Sequence, residues 1–250
     1  MRTLIDLSLP IQSTPSEATP VTVATLEHHE APGVFGLSPH DFPDGMGISN
    51  EQISLTTHTG THMDAPLHYG PFSEGRPARK ITDIPLSWCY NRGVRLDVRH
   101  RGPGEEISAA DLKEAVASAG TELAPLDIVL IWTGCDRLWG SERYLTDYPG
   151  LGRDAVAYLV EQGVRIIGVD TWGLDRPVEA MLRDYRATGD HSYLWPAHLY
   201  GREREYCQLE KLANLHLLPA SFGFQVLCFP VSIAGVGAAW TRVVAVVEQD

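Results

Sequence analysis

The sequence predicts an α/β fold in which parallel strands alternate with crossover helices. Two amphipathic segments and two short apolar runs follow one another in the middle of the chain, in the order helix, strand, helix, strand. Short runs rich in Val and Ile are typical of strands buried on both faces of a parallel sheet. A length of 250 residues, with 44% hydrophobic and 21% charged residues, suits one large domain. We therefore expect a single domain over residues 1–250.

The first helix of this alternation has clear start and stop signals. Ser108 can cap its first turn, with Asp111 at the third position, and Gly120 can end it in a left-handed conformation. The second helix has the same spacing of apolar residues and is followed by Gly163. The predicted elements are a helix over Ile107–Gly120, a strand over Asp127–Trp132, a helix over Gly150–Gln162 and a strand over Val164–Val169.

Most of the remaining predicted elements are strands. Asp170 follows one buried strand at the edge where open α/β sheets bind ligands, so it can contact substrate, brace a histidine or cap a turn. Two irregular stretches, Thr14–Asn50 and the Tyr- and Trp-rich Arg176–Ala197, are long enough to serve a function. The other elements are strands over Thr3–Leu9, Val21–Leu26, Glu51–Thr57, Gly93–Val98, Gln225–Ile233 and Thr241–Gln249, and a third helix over Leu209–Leu217.

Charge and cysteine content exclude several classes of protein. A net charge of −12 argues against nucleic acid or an anionic membrane as a partner, because phosphate contacts need clustered Lys and Arg. The four cysteines form no C-x-x-C pair, so neither a zinc ribbon nor a disulfide framework is expected. There is no signal-type leader and no apolar run near the roughly 20 residues of a membrane helix. We therefore expect a cytoplasmic protein.

The segment T-H-T-G-T-H-M-D-A-P-L-H-Y-G, residues 57–70, concentrates metal-ligating side chains. Three imidazoles and one carboxylate fall within eleven positions, which is far denser than surface histidines in a turn would require. Imidazole with carboxylate suits Zn²⁺ or Mn²⁺ better than a metal that prefers thiolate. The candidate ligands are His58, His62 and Asp64, while His68 can be a fourth ligand or a free base.

The local sequence lets these side chains converge. Pro66 excludes an uninterrupted helix, because it lacks an amide hydrogen and clashes with the preceding turn. In an extended chain residues two apart share a face, so His62 and Asp64 can point the same way. Gly60 permits the backbone to fold back and bring His58 beside them.

The pattern H-x-G-T-H-x-D-x-P-x-H at residues 58–68 resembles the signature of the cyclase family, which includes bacterial kynurenine formamidase and isatin hydrolase. Asp6–Pro10 resembles the family's D-L-S-x-P opening, and Gly235–Ala245 resembles its closing strand. The resemblance thus covers nearly the whole chain. The departures are the stretches Thr14–Asn50 and Arg176–Ala197, which put the identity of the substrate in question.

This resemblance implies a fold and a metal centre. The fold is the cyclase-type swivelling β/β/α arrangement, a mixed β-sheet core with flanking helices and peripheral strands. The centre holds two Zn²⁺ or Mn²⁺ ions per subunit. His58, His62 and Asp64 bind the first ion, and Asp64, His198 and Glu210 bind the second.

Two of these assignments have alternatives. Glu203 and Glu205 lie near Glu210, which is preferred because L-E-K-L-A-N-L resembles a helix of the family. The resemblance gives His68 the role of catalytic proton shuttle, and an imidazole titrates near working pH. The alternatives for His68 are a metal ligand or a brace for one.

The implied function is hydrolysis of a C–N bond by metal-activated water. The leading substrate is an aryl formamide such as N-formylkynurenine, which would make the protein an arylformamidase of tryptophan catabolism to kynurenine. The alternatives are an isatin-like lactam, a polyketide-type cyclisation or ring opening, and a metal-binding protein without catalysis. No G-x-S-x-G elbow supports a serine hydrolase.

The resemblance also implies the partners of the protein. These are a small aryl amide or lactam and further copies of the chain, as a homodimer or homotetramer. Aromatic candidates for the pocket wall are Trp132, Trp172, Tyr193 and Trp195.

Overall fold

A computed structural model describes residues 1–248. The chain divides into two compact units. The first comprises Met1–Ala18 and the chain from Thr57 onward, and the second comprises Thr19–Thr56. All the candidate ligands belong to the first unit. Among the helices between residues 1 and 248, none has the length and hydropathy that a membrane crossing requires.

Strands outnumber helices along the chain. The strands are β1 (Arg2–Asp6), β2 (Thr22–Leu26), β3 (Asn50–Ser54), β4 (His62–Asp64), β5 (Phe72–Ser73), β6 (Arg76–Pro77), β7 (Tyr90–Asp97), β8 (Glu106–Ile107), β9 (Ile128–Trp132), β10 (Gly150–Leu151), β11 (Ile166–Val169), β12 (Cys207–Glu210), β13 (Phe224–Leu227), β14 (Ala238–Trp240) and β15 (Val244–Glu248). The helices are α1 (Ala31–Val34), α2 (Pro66–Tyr69), α3 (Ala109–Ala119), α4 (Arg153–Glu161), α5 (Val178–Thr188) and α6 (Pro196–Tyr200). Short 3-10 turns connect several of them.

One mixed sheet of nine strands organises the first unit, in the order β1-β15-β13-β7-β9-β11-β12-β4-β14. The central strands β7, β9, β11 and β12 run parallel, and all the outer pairings are antiparallel. Helices α3 and α4 are the crossovers between β7, β9 and β11, which confirms the predicted α-β-α-β alternation. The carboxyl ends of the parallel strands therefore share one edge, which includes Glu210.

Alternate residues of the central strands enter two separate cores. Val129 and Ile131 of β9 pack with α3 and α4, whereas Ile128 and Leu130 pack in the second cluster on the opposite face. Burial of each such side chain stabilises the fold by about 1.5–3 kcal/mol. Helix α3 has the predicted caps, since the Ser108 side chain accepts from the Asp111 amide and Gly120 adopts φ 71°.

The predicted third helix over Leu209–Leu217 is wrong. Cys207–Glu210 is the buried strand β12, and only Leu215–Leu217 forms a 3-10 turn. Cys207 and Leu209 enter a hydrophobic core while the residues between them face the other side, which is the period of a strand. The backbone then turns through left-handed conformations at Lys211 and Asn214, which end the strand.

Several other predicted boundaries change. Residues 150–151 form a short strand that pairs with β8, so the second helix begins only at Arg153. The stretch predicted as irregular or partly helical, Arg176–Ala197, contains the whole of α5. The strand predicted over Gln225–Ile233 ends at Leu227, and that over Thr241–Gln249 begins at Val244. Gln249 lies outside the described residues.

The second unit is built on the hairpin of β2 and β3. These strands pair antiparallel, with Thr22 opposite Ser54 and Leu26 opposite Asn50. Between them lie α1 and two 3-10 turns. The strand predicted over Glu51–Thr57 is thus part of this hairpin, and it ends at Ser54.

Asp170 connects the carboxyl ends of β9 and β11 through hydrogen bonds. Its fully buried carboxylate accepts hydrogen bonds from the Thr133 amide at 2.9 Å, the Thr133 hydroxyl at 2.6 Å and the Gly134 amide at 2.7 Å. Burial raises the pKa of this carboxyl to about 7, although the hydrogen bonds oppose the shift. Of the predicted roles, the structure therefore supports the capping of a turn.

We expect Asp170→Asn to destabilise the protein by about 3 kcal/mol, because the new amide would direct a donor at a buried donor. Urea unfolding of the metal-free protein measures this change. Asp147→Asn is the control, since Asp147 pairs with Arg143 at the surface and its loss should cost no more than about 1 kcal/mol. Equal stability of the two variants would contradict the capping role.

Candidate metal centre

The pairing of β4 with β12 assembles the centre. The two strands run antiparallel, with Asp64 opposite Gln208 and His62 opposite Glu210. Residues between these positions, Met63 among them, enter the hydrophobic core on the other face. The predicted extended conformation at His62 and Asp64 is confirmed, and it places four polar side chains on one face.

His58 joins this face through the turn at Gly60. Gly60 adopts φ 63°, a left-handed conformation that favours glycine, as the sequence predicts. Its carbonyl lies 2.9 Å from His62 Nδ1. Because a carbonyl only accepts hydrogen bonds, Nδ1 of His62 carries the proton and Nε2 keeps its lone pair for a metal.

The ligand atoms lie at the separations that a metal ion requires. His58 Nδ1 lies 3.1 Å from both His62 Nε2 and Asp64 Oδ1. His62 Nε2 lies 3.6 Å from Asp64 Oδ1 and 3.5 Å from Glu210 Oε2. Tetrahedral ligands with bonds of about 2.1 Å are about 3.4 Å apart. His62, Asp64 and Glu210 therefore form one group that a divalent ion could bridge, and His58, Asp64 and His68 form a second, with Asp64 common to both.

The buried charges also fit a cation. Burial alone would raise the pKa of the Asp64 carboxyl, but the surrounding imidazoles outweigh burial and lower it. Burial and then the charge of Asp64 raise the pKa of Glu210 to about 7. Burial lowers the pKa of His62 to about 4, so its ring is neutral at pH 7 and able to bind metal. Asp64 Oδ1 is buried with no well-aligned hydrogen bond, and its polar neighbours are the imidazoles of His58 and His62, which are themselves candidate ligands.

His68 lies at the open side of the centre. It is in the short helix α2, and its Nε2 is 3.8 Å from Asp64 Oδ2. Its ring is 4.4 Å from that of His58, centroid to centroid, and the two side chains are 33% and 38% exposed. His68 can therefore reach both solvent and the ligands, which is compatible with a proton shuttle and also with a further ligand.

His198 is held by a carboxylate that the sequence did not indicate. Asp175 accepts hydrogen bonds from His198 Nδ1 and from the amides of Ala197 and His198. Burial alone would lower the pKa of His198, but the hydrogen bond and charge of Asp175 raise it to about 9. Asp175 therefore fixes the ring and makes Nε2 a more basic ligand.

Gln208 occupies the place where the predicted ligands of a second ion meet. Its amide nitrogen lies 2.7 Å from His198 Nε2, and 2.9 Å from both Asp64 Oδ2 and Glu210 Oε1. The two amide hydrogens can serve the two carboxylates, which leaves none for His198 Nε2, and Gln208 Oε1 is buried without a hydrogen-bond partner. The side chains of Asp64, His198 and Glu210, the predicted ligands of the second ion, thus all reach the amide nitrogen of Gln208. This uncharged amide occupies the position predicted for that ion.

The structure favours Glu210 as the candidate metal ligand over the two alternatives, Glu203 and Glu205. Glu203 pairs with Arg153 and Glu205 with Arg79, so both carboxylates are engaged away from the histidines. Sequence reasoning missed Gln208 and Asp175. The alternation C-Q-L-E would have indicated that residue 208 shares a face with Glu210, had the segment been recognised as a strand.

Of the predicted pocket aromatics, Trp172 lies near Glu210 and Trp195 caps α6, the helix that carries His198. The ring of Trp172 is 5.5 Å from the ammonium of Lys211, the residue after Glu210. Trp132 instead stacks under the guanidinium of Arg99, at 3.6 Å. A role for any of these side chains in binding substrate stays a prediction.

A curled mixed sheet with clustered His, Asp and Glu at the carboxyl edge of its parallel strands defines an α/β protein with a candidate metal centre. The model of the Cyclase family matches residues 5–176, more than half of the chain. The chain therefore belongs to the cyclase family, as its motifs predict.

Curated relatives and solved structures agree with this family. A kynurenine formamidase of Maricaulis maris is 27% identical over 197 residues, 79% of this chain and 80% of the relative. One of Erythrobacter litoralis is 30% identical over 152 residues, 59% and 61% of the two chains. An isatin hydrolase bound to the product analogue thioisatinate has a TM-score of 0.78 at 21% identity, covering 99% of this chain and 93% of its own. These similarities confirm the predicted cyclase-type fold.

We expect Asp175→Asn to weaken binding of the second ion, the ion to which His198 would be a ligand, by about 10–100-fold, because the carboxylate that orients His198 is lost. Isothermal titration of metal-stripped protein with Mn²⁺ measures the dissociation constant. Asp184→Asn removes a carboxylate that pairs with Arg176 and Arg183, and it should leave the constant unchanged. An unaltered constant for Asp175→Asn would show that His198 does not need this brace.

Proposed function

We propose that the protein is a metal-dependent hydrolase that cleaves the C–N bond of an aryl formamide of the N-formylkynurenine type. The observation that carries this proposal is the convergence of His62, Asp64 and Glu210 in one group and of His58, Asp64 and His68 in another, with Asp64 common to both. The family membership and the kynurenine formamidases among its relatives support it. The proposed metal is Zn²⁺ or Mn²⁺, since the donor set accepts both.

A divalent ion at this centre supplies Lewis-acid chemistry and makes hydroxide available from water near pH 7. His68 then moves the proton. Burial lowers the pKa of His68 to about 4, so its ring is neutral at pH 7 and has a nitrogen free for a proton; the shift makes it a weaker base than a free imidazole and a stronger acid once protonated. From the same position it can return the proton to the departing nitrogen. No side chain has to serve as the nucleophile.

An isatin-like lactam is the second candidate substrate. It also presents a carbonyl whose nitrogen is attached to an aromatic ring, so the same ligands and the same proton transfer would serve. The solved isatin hydrolases match nearly the whole chain, including Arg176–Ala197, most of which lies beyond the family match. The sequence relatives favour the formamide, and direct assay separates the two.

The first test compares hydrolysis of N-formylkynurenine and isatin by metal-stripped protein reloaded separately with Zn²⁺ and Mn²⁺. We expect the metal-loaded protein to hydrolyse N-formylkynurenine and the metal-stripped protein not to. His62→Ala should lose metal together with activity, whereas His68→Ala should keep its metal and lose about 10²–10⁴-fold in kcat.

His216→Ala is the matched control, because His216 is an exposed histidine of the 3-10 turn Leu215–Leu217 and is not one of the candidate ligands. It should retain full activity. Turnover of isatin alone would transfer the proposal to the lactam. A metal-loaded protein that hydrolyses neither substrate would refute the formamide proposal. A fully active His68→Ala variant would refute the role of His68 as proton shuttle.

The number of ions provides a second test. The resemblance implies two ions per subunit, and Gln208 has to leave its position before Asp64, His198 and Glu210 can share the second. We therefore expect the unaltered protein to bind one ion tightly and a second weakly, and Gln208→Ala to bind the second at least tenfold more tightly. Equilibrium dialysis with metal analysis counts the ions at each free concentration.

Gln225→Ala is the control for this change, since Gln225 contacts Tyr90 at the protein surface. Two ions of equal affinity in the unaltered protein would show that the amide is no obstacle. A single ion in Gln208→Ala would show that His198 is not a ligand.

A further inference from the structure

Lys211 follows the candidate ligand Glu210 and is almost completely buried. Its side chain is 3% exposed, and its backbone adopts φ 59°, a left-handed conformation that is unfavourable for a residue with a side chain. Strained backbone of this kind persists only where surrounding interactions impose it, and it occurs often at functional sites. The contacts of Lys211 identify those interactions.

The ammonium of Lys211 connects two distant parts of the chain. Nζ donates to Glu17 Oε2 at 2.6 Å and to the carbonyl of His58 at 2.8 Å. Glu17 is equally protected from solvent, with 5% of its side chain exposed. Two opposite charges are therefore buried together, and one of them also contacts the backbone of a candidate ligand.

Glu17 and Lys211 also form hydrogen bonds to other residues of the loop 58–61, which carries the candidate ligand His58. Glu17 Oε1 accepts a hydrogen bond from the amide of Gly60 at 2.7 Å. The carbonyl of Lys211 accepts one from the hydroxyl of Thr61. The backbone or side chain is thus held at residues 58, 60 and 61, over the turn that brings His58 beside His62.

We propose that the Glu17–Lys211 pair is a positioning element of the metal centre, which sets metal affinity by holding the loop of residues 58–61. This inference rests on the proposed metal function. The pair does not touch the metal or the substrate; it acts through His58 and through Glu210, its neighbour in the chain.

The alternative is that the pair only stabilises the fold. Removal of one partner from a buried ion pair leaves an uncompensated charge and destabilises a protein wherever the pair lies. The test therefore has to measure the geometry and affinity of the centre separately from stability. Cobalt(II) provides this measurement, because its visible absorption depends on the number and arrangement of its ligands.

The experiment titrates metal-stripped protein with Co²⁺ and follows both the dissociation constant and the visible spectrum. The variants are Glu17→Gln, Lys211→Met and the double variant Glu17→Met with Lys211→Met, which leaves no lone buried charge and so protects folding. We expect the dissociation constant to rise about 10–100-fold in each, with an altered spectrum. The effects of the single changes should not add, because both remove one interaction.

Asp127→Asn is the matched control. Asp127 is a buried carboxylate that pairs with Arg92 at the amino end of β9, at the edge of the sheet opposite the centre. The Asp127→Asn variant should have a lower Tm in the metal-free state, but its dissociation constant for Co²⁺ and its visible spectrum should not change. The same pattern in the Glu17 and Lys211 variants would overturn the positioning role, and the double variant decides the matter if a single variant fails to fold.

This readout does not depend on turnover. An unaltered protein that binds Co²⁺ but hydrolyses neither amide would refute the proposed substrates and leave the positioning role intact. An unaltered protein that binds no metal would overturn both.

Discussion

The antiparallel pairing of β4 with β12 is the constraint on which the metal centre depends. It places His62 and Asp64 opposite Glu210 and Gln208, so ligands more than 140 residues apart in sequence share one face. Because side chains alternate along a strand, a slip of one residue would turn these groups into the hydrophobic core and Met63 into the centre. The burial of Met63 and Leu209 on the other face therefore fixes the register that the chemistry requires.

This register creates an electrostatic conflict inside the protein. Asp64 and Glu210 are both acidic and both buried, and the pKa of Glu210 rises to about 7 as a result. Buried charge of one sign is costly unless an opposite charge lies beside it. The neutral ring of His62 cannot supply that charge; His198, with its raised pKa, supplies part of it, and a divalent cation would supply more. A cation bound between these carboxylates would therefore stabilise this part of the fold.

Residues outside the ligand set control how the ligands are presented. The Gly60 carbonyl selects the tautomer of His62, Asp175 orients His198, and Gln208 occupies the point shared by three ligands. The ion pair of Lys211 with Glu17 adds a contact to the backbone of His58. Each of these groups restricts the motion of a ligand without belonging to the motif, so the affinity of the centre depends on more of the chain than the motif itself.

The sequence by itself determined the ligand motif, the α/β alternation and the boundaries of α3, because each rests on local signals. The spacing of His58, His62 and Asp64, the cap at Ser108 and the apolar runs of β9 and β11 are all readable within a few residues. The segment after Cys207 shows where local signals fail. The spacing of its leucines fits a helix as well as a strand, and only pairing with β4 and β11 decides for the strand.

Tertiary structure alone decided which distant groups meet the ligands. Glu17 and Lys211 are 194 positions apart, and Gln208 and Asp64 are 144 apart. No periodicity or motif connects residues at such separations, because their contact depends on the order and register of strands in the sheet. The chemistry of the ligands is therefore local in the sequence, whereas their geometry and support are properties of the folded sheet.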